Sequence, residues 1–547
     1  MCVITNLLAL LLALARTALT STISFTVSPT AESLEVGRPQ EGFVSYSIEF
    51  SSFPDFAGNK SHPNEFSNNL LDNIGNLTGT KPYIRVGGNT QDFAIYNPNL
   101  TVALNGTYNL TRSADYPTTI EIGPSFFESY TTWPDVKFSH GFNLGGNNDS
   151  RRWDTLLQTV PLACKALGRE RLYAWEYGNE PDLYSTNALA PVRSLEWNES
   201  DYVAEWLNGT RTIKALLREH CPELAGNDTY GYIAPSFAGT NGHLKAPVAW
   251  ADGLDGDGDI KYFSSHNYIS SADALGVTLQ GTLMNHTRTM ESIEVHLAEY
   301  ASIAPTTTTP KPPHIFGEQN SLSHQGLPGT SDTFGAALWA LDFSLYAAAR
   351  GLARVHTHMG TGYRYASWQP GPAPASSTRP PYYANVATAA FLCGRSRVSV
   401  SAIPHASDVD AAYAAYAAYA GGTLARVAVL NLRAYNYSST SNSSSSSVWT
   451  GRGERRNRPT RTYALDVRGL LEDGATALVR RLLANGSDAV AGVTWDGASY
   501  AYELAAGRAV RMPNVTRGET VEVVRGGVVE VGVPDASAVV LDFEACW

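Results

Sequence analysis

The chain has 547 residues, too many for one core of ordinary size, so two or three domains are expected. Its formal net charge is −11, only 17% of residues are charged and no long basic face is visible, which excludes polyanion or nucleic-acid binding through a broad cationic surface. The 28 Tyr and 11 Trp suit the handling of sugars, whose C–H faces stack on aromatic rings.

Residues 1–20 read as a signal peptide. Leu7–Ala15 is an apolar run of nine residues, short of the roughly 20 that a membrane span needs. Small residues at Ala18 and Thr20 offer a cleavage point before Ser21, although no Lys or Arg precedes the run. Asn-x-Ser/Thr sequons stand at Asn59, Asn76, Asn99, Asn105, Asn109, Asn148, Asn198, Asn208, Asn227, Asn285, Asn436, Asn442, Asn485 and Asn514. Together with the leader they point to a secreted, extracellular glycoprotein carrying N-linked glycans. Cys164, Cys221, Cys393 and Cys546 would then form two disulfides; of three connectivities, Cys164–Cys221 with Cys393–Cys546 is favoured, since it ties the chain end to the start of the last domain. These spacings fit no zinc pattern, and neither metal nor organic cofactor is expected.

Residues 21–38 are strand-like and expected to add to a C-terminal sheet. Residues 39–393 hold eight strand-like runs: Gly42–Phe50, Pro82–Val86, Val136–Leu144, Arg171–Tyr177, Thr229–Phe237, Ile260–Tyr268, His314–Gly317 and Arg354–His358. Helical segments fall between them, at Trp153–Leu167, Asp201–His220, Met290–Tyr300 and Thr333–Arg350. Alternation of this kind predicts a closed (β/α)₈ TIM barrel, an α/β fold. Residues 394–547 change to short alternating runs between Gly, Asn and Asp turns, the pattern of an all-β sandwich, interrupted by a Ser/Arg-rich loop at 437–461 whose composition reads as disordered. The Pro-rich stretch Trp368–Pro381 reads as a rigid loop near the barrel mouth.

A barrel places functional groups where its strands end. Glu49, Asn89, Asn143, Asn179, Glu180, His266, Tyr268, Glu318 and His356 all fall at such ends, where a buried strand would otherwise favour Val, Ile and Leu. Glu180 in Gly178-Asn179-Glu180-Pro181 and Glu318 in Gly317-Glu318-Gln319-Asn320 are the pair that glycosidic cleavage requires. One protonates the leaving oxygen; the other attacks or stabilises the sugar carbon. Asn179 can hold a sugar hydroxyl, and Tyr268 can point its hydroxyl at Glu318. His266 is either a hydrogen-bonded strand-end histidine or a proton carrier. Glu176 shares the strand face of Glu180 four residues earlier and is expected deeper, as a structural carboxylate. Asp255-Gly-Asp257-Gly-Asp259 resembles the start of a calcium loop, but its twelfth position is His266, so it reads as a polar turn.

Four segments resemble glycoside hydrolase family 79, which contains heparanases and microbial β-glucuronidases. They are Arg85-Val86-Gly87-Gly88-Asn89-Thr90-Gln91-Asp92-Phe93, His266-Asn267-Tyr268, Gly317-Glu318 and Ser331-Asp332-Thr333-Phe334-Gly335-Ala336-Ala337-Leu338-Trp339. The resemblance implies Glu180 as acid/base, Glu318 as nucleophile, retention of configuration and a glucuronic acid in the −1 subsite. It also implies that Gly362-Tyr363, or Tyr365 if the register slips, holds the uronate carboxylate, and that Glu49 and Asn89 contact ring hydroxyls. Lys and Arg clusters of the kind heparanases use on sulfated chains are absent near these motifs, which favours exo-acting release of terminal β-linked glucuronic acid, with or without a 4-O-methyl group, from glycans. A β-glucosidase or xylosidase of the same clan, an endo-acting heparanase-like enzyme and a silent carbohydrate-binding protein stand as alternatives.

Overall fold

The computed structural model describes residues 22–111, 113, 115–146, 150–186, 191–303, 310–371, 377–393, 398–404, 411–437, 458–469, 473–524 and 526–543. The expected signal peptide, Asn148, Asn442, Cys546 and residues 438–457 of the Ser/Arg-rich loop lie outside them. Eight parallel strands close into a barrel: β1 (Val44–Glu49), β2 (Ile84–Gly87), β3 (Phe138–Phe142), β4 (Leu172–Tyr177), β5 (Tyr232–Phe237), β6 (Ile260–Ser271), β7 (His314–Ser323) and β8 (Arg354–Met359). Each overlaps one of the eight strand-like runs, with ends shifted by up to six residues.

Two strands run further than their apolar residues suggest. β7 continues through Glu318 to Ser323, so Glu318 projects from within a strand instead of following one. Its polar residues are satisfied sideways: Gln319 Nε2 donates to Thr357 Oγ1 at 3.0 Å and Asn320 Nδ2 to the His358 carbonyl at 2.8 Å. β6 extends to Ser271, paired with β7 from Phe263 onward and bulged between Ser265 and His266, which sets His266 directly opposite Glu318.

The helices pack outside this ring. α1 (Glu65–Thr78) starts at Asn64, whose side chain accepts from the Ser67 amide, and closes on left-handed Gly79. α2 (Arg152–Arg171) and α3 (Glu199–His220) are neighbours, tied by the Cys164–Cys221 disulfide. α3 opens with a capping box between Asn198 and Asp201 and carries Arg218 and His220 in its last turn, complementing the helix dipole. α4 (His286–Ser302) precedes β7, and α5 (Phe334–Ala349) follows it. Every residue of α5 is buried, because the barrel lies on one side and the C-terminal sheet on another.

After α6 (Pro380–Phe391) the described residues supply eleven strands of a twelve-stranded sheet folded over a second core. In its Tyr413–Ala420 strand, Tyr413, Ala415, Ala417 and Tyr419 face that core, while Ala414, Tyr416 and Ala418 join the core shared with the barrel. The N-terminal strand Ile23–Thr26 pairs in parallel with Thr460–Asp466 at the edge of this sheet. Cys393 is disulfide-bonded. The stretch Trp368–Pro381 is partly regular: Trp368–Gln369 pairs with Ser377–Thr378, and Pro380 and Pro381 open α6, where a missing N–H costs nothing. Arg458, at the end of the Ser/Arg-rich loop, turns inward and donates to the carbonyls of Asp535, Ala484 and Ala536.

Candidate active site

Arg85 of β2 is the fixed centre of the barrel mouth. Its fully buried guanidinium donates to Glu176 Oε2 at 2.9 Å, to Glu318 Oε2 at 2.7 Å, to Ser47 Oγ at 2.9 Å and to Asn179 Oδ1 at 2.7 Å. Burial opposes its charge, but Glu176 and Glu318 outweigh that and hold it firmly protonated. Glu176 also accepts from Ser236 Oγ at 2.6 Å, which leaves it in the interior polar network below the rim.

Glu180 sits in the turn after β4 with φ 49° and ψ 50°, a left-handed conformation rare for a side chain other than Asn, Asp or Gly. Its amide donates to the Ser236 carbonyl at 3.0 Å, and the Asn179 amide donates to Asp92 Oδ2 at 2.9 Å, so the turn is gripped from β5 and from the loop after β2. Glu180 Oε1 lies 2.9 Å from His266 Nδ1. His266 Nε2 has no partner among the described residues. A bare acceptor costs less than an orphaned N–H here, so the proton belongs on Nδ1, donating to Glu180.

The two glutamates are pushed in opposite directions. Burial, and then the negative charge of Glu318, raise Glu180 well above the usual carboxylate range. Burial would raise Glu318 too, but His358, Arg85 and the Tyr268 hydroxyl (2.7 Å from Oε1) overcome it and hold Glu318 below that range. His266, whose buried ring is uncharged above about pH 4, adds to this only in acid. A carboxylate oxygen of each glutamate and a ring nitrogen of His266 lie within 4.8 Å of one another. Those three residues form the group of potential metal ligands among the described residues, yet Arg85 and Tyr268 already occupy both oxygens of Glu318.

Glu49, at the end of β1, accepts from the Thr90 amide at 2.8 Å and from the Tyr363 hydroxyl at 3.1 Å. Asn179 Nδ2 reaches Asn89 Oδ1 at 3.3 Å, and the Tyr268 and Tyr365 hydroxyls stand 3.5 Å apart. The structure thus gathers Glu49, Asn89, Asn179, Glu180, His266, Tyr268, Glu318 and Tyr363 at one end of the barrel. Gly362 is at the surface with φ 82°, and its amide already donates to Gln369 Oε1 at 2.6 Å; the Tyr363 amide donates to the Gly360 carbonyl at 3.1 Å.

Two strand-end residues lie elsewhere than expected. His356 sits a layer lower, against the Phe316 carbonyl at 3.0 Å and the Tyr173 hydroxyl at 3.1 Å, and His358, two residues on, occupies the rim. Asn143 braces the loop after β3, donating to the Ala94 carbonyl and accepting from the Gly146 amide. Arg85, Asp92 and His358 were not singled out by sequence reasoning. Alternation along β8 puts His356 and His358 on one face, but only the barrel register says which reaches the rim. The acidic turn at 255–259 is consumed by Arg211 on Asp257, Lys214 on Asp259 and the Ile260 amide on Asp255.

Comparison with known proteins places this arrangement. The model of the glycosyl hydrolase family 79 C-terminal beta domain matches residues 415–540. A beta-glucuronidase of Neurospora crassa is 55% identical over 496 residues, covering 87% of this chain and 88% of its own. A beta-glucuronidase of Aspergillus niger is 50% identical over 501 residues, covering 91% and 90%. The crystal structure of a 4-O-α-L-rhamnosyl-β-D-glucuronidase from Fusarium oxysporum 12S shares the fold with a TM-score of 0.73 at 24% identity, over 95% of this chain and 100% of that one. A GH51 arabinofuranosidase from Xanthomonas axonopodis pv. citri gives a TM-score of 0.60 at 14% identity, over 96% and 100%. With two relatives at or above half identity over nearly their whole length, this chain belongs to glycosyl hydrolase family 79.

Proposed function

We propose that this protein is a secreted, retaining β-glucuronidase that releases terminal β-linked glucuronic acid from glycans, with Glu180 as acid/base and Glu318 as nucleophile. The observation that carries the roles is the pairing of two buried carboxyls whose oxygens approach within 4.8 Å and whose surroundings favour opposite protonation states. Retention needs carboxyl groups about 5–5.5 Å apart, whereas inversion leaves room for a water at roughly 6.5–9.5 Å. Glu318, held ionised, attacks the anomeric carbon while Glu180 gives its proton to the departing glycosidic oxygen. A glycosyl ester on Glu318 results. Glu180, now a carboxylate, takes a proton from the water that breaks this ester, and both groups return to their starting states.

The beta-glucuronidase names of the two relatives support the glucuronide as substrate. Glu49, Asn89, Asn179 and the Tyr268 and Tyr363 hydroxyls line the subsite that would hold the sugar. Secretion rests on the leader and the sequons. Of the sequon asparagines among the described residues, Asn59, Asn76, Asn99, Asn105, Asn109, Asn198, Asn208, Asn227, Asn436 and Asn514 are exposed, and Asn285 and Asn485 are partly so. The deciding experiment compares 4-nitrophenyl β-D-glucuronide with 4-nitrophenyl β-D-glucoside. Glucuronide hydrolysis should dominate and fall by at least about 10³-fold in E180Q and E318Q; dominant glucoside hydrolysis would transfer the chain to another specificity of the clan.

A further inference from the structure

His358 lies between the two carboxylates that a bound sugar would meet. Its Nε2 is 3.4 Å from Glu49 Oε2, and its Nδ1 is 3.4 Å from Glu318 Oε2 and 2.9 Å from Ser47 Oγ. Both ring nitrogens therefore face acceptors, the environment of an imidazolium. His356 differs: it faces one carbonyl and one hydroxyl, and burial drives it to the neutral form. The groups packed around His358 are Ser47 and Glu49 of β1, Arg85 of β2, Glu318 of β7, and Tyr363 and Tyr365 of the loop after β8, with ring centroids 6.0 and 6.1 Å away, and its charge is also felt by Glu180 after β4 and His266 of β6. Burial alone would strip its proton, but Glu318 and Glu49 outweigh that and raise it above an ordinary histidine.

Charge arithmetic gives this ring a task. With Glu180 protonated, Glu49, Glu176 and Glu318 bring three negative charges to the cluster, and Arg85 supplies one positive charge. Arg85 is committed to Glu176 and Glu318 and reaches neither oxygen of Glu49. A uronate would add a fourth negative charge to a low-dielectric site, where like charges repel strongly. Resting on the glucuronidase reading above, we propose that His358 is a positioning and specificity-determining residue: its imidazolium holds Glu49 and Glu318 together and offsets the carboxylate of the incoming sugar, so that preference for an acidic over a neutral sugar depends on it.

The test measures binding of free D-glucuronate by calorimetry to E180Q, in which the Glu180 titration is removed, from pH 5.5 to 8.5. His358 is charged at the low end and loses its proton as pH rises past its elevated value, while glucuronate stays ionised throughout. Affinity should therefore weaken by roughly tenfold or more across the range, one pKa unit's worth of interaction. E180Q/H358Q should bind weakly at every pH with no such slope. A flat or undetectable affinity in E180Q, or tight binding retained in the double variant, would overturn the proposal. If the double variant does not fold, the E180Q series decides alone. Absence of aryl glucuronide hydrolysis by the wild type sinks the glucuronidase reading itself; hydrolysis with a flat affinity profile sinks only the role of His358.

Discussion

The Tyr268 hydroxyl donates to Glu318 Oε1 at 2.7 Å while the Arg85 guanidinium holds Oε2 at the same distance. One carboxylate is thus fixed at both oxygens, one by a neutral donor and one by a charged donor. Tyr268→Phe removes only the neutral donor. Glu318 then becomes easier to protonate, and the acid limb of the kcat/KM profile should move to higher pH, with kcat falling about 10- to 100-fold. An unchanged acid limb would mean that the hydroxyl does not govern the ionisation of Glu318.

Arg85 joins Glu176, Glu318, Ser47 and Asn179 with a planar set of donors that lysine cannot reproduce. Arg85→Lys should lower kcat by at least about 100-fold, since positioning errors near the reacting atoms are that costly. Thermal unfolding should also shift down, because buried carboxylates are left short of partners. Wild-type turnover in R85K would contradict the central place given to this residue.

Glu180 is raised and Glu318 lowered, so the wild-type kcat/KM profile should be a broad bell. Activity falls on the acid side as Glu318 gains a proton, below the usual carboxylate range, and on the alkaline side as Glu180 loses one, above it. In E180Q the residual activity toward a substrate with a good leaving group should lack the limb that belongs to Glu180. Persistence of an identical alkaline limb would assign it to another group.

His286 at the start of α4 donates to buried Asp342 of α5 at 3.0 Å, and the Tyr416 hydroxyl of the C-terminal sheet reaches the same carboxylate at 2.6 Å. Burial works against the charge of His286, but Asp342 wins and raises it. Stability from this pair is fully present below the unfolded histidine value near 6.5 and is lost as pH climbs through the higher folded value. The melting temperature should decline as pH rises above about 6.5, and His286→Gln should make this decline shallower.

The Cys164–Cys221 bridge closes a 57-residue separation between α2 and the end of α3. Loop-closure entropy assigns such a link about 4 kcal/mol. The C164A/C221A pair should therefore melt several degrees lower by calorimetry, with kcat unchanged, since neither residue approaches the barrel mouth.

The barrel was legible because each strand carries an apolar run and each catalytic candidate interrupts one at its end. Glu180 announced itself through Asn179 and Pro181, and Tyr268 through its place two residues past His266. The half of β7 beyond Glu318 was hidden, because Gln319, Asn320 and Ser321 are polar, and the strand there rests on pairing with β6 and on side-chain hydrogen bonds to β8 and to Ser331. His358 was masked by His356: both fit the pattern, and the choice depends on the pairing of β8 with β1, where His358 stands opposite Ser47. Tyr413–Ala420 was also hidden. Alanine favours helices, and this segment is a strand because neighbours pair along both its edges.

The pairing of Ile23–Thr26 with Thr460–Asp466 joins segments more than 430 residues apart. During synthesis the first of these leaves the ribosome early and waits for its partner until the barrel is complete. At roughly 5–20 residues per second that wait lasts tens of seconds. The C-terminal sheet is consequently the last part of the molecule to close. A chain truncated before residue 460 would keep the whole barrel sequence, yet its amino-terminal strand would be left as an unpaired edge.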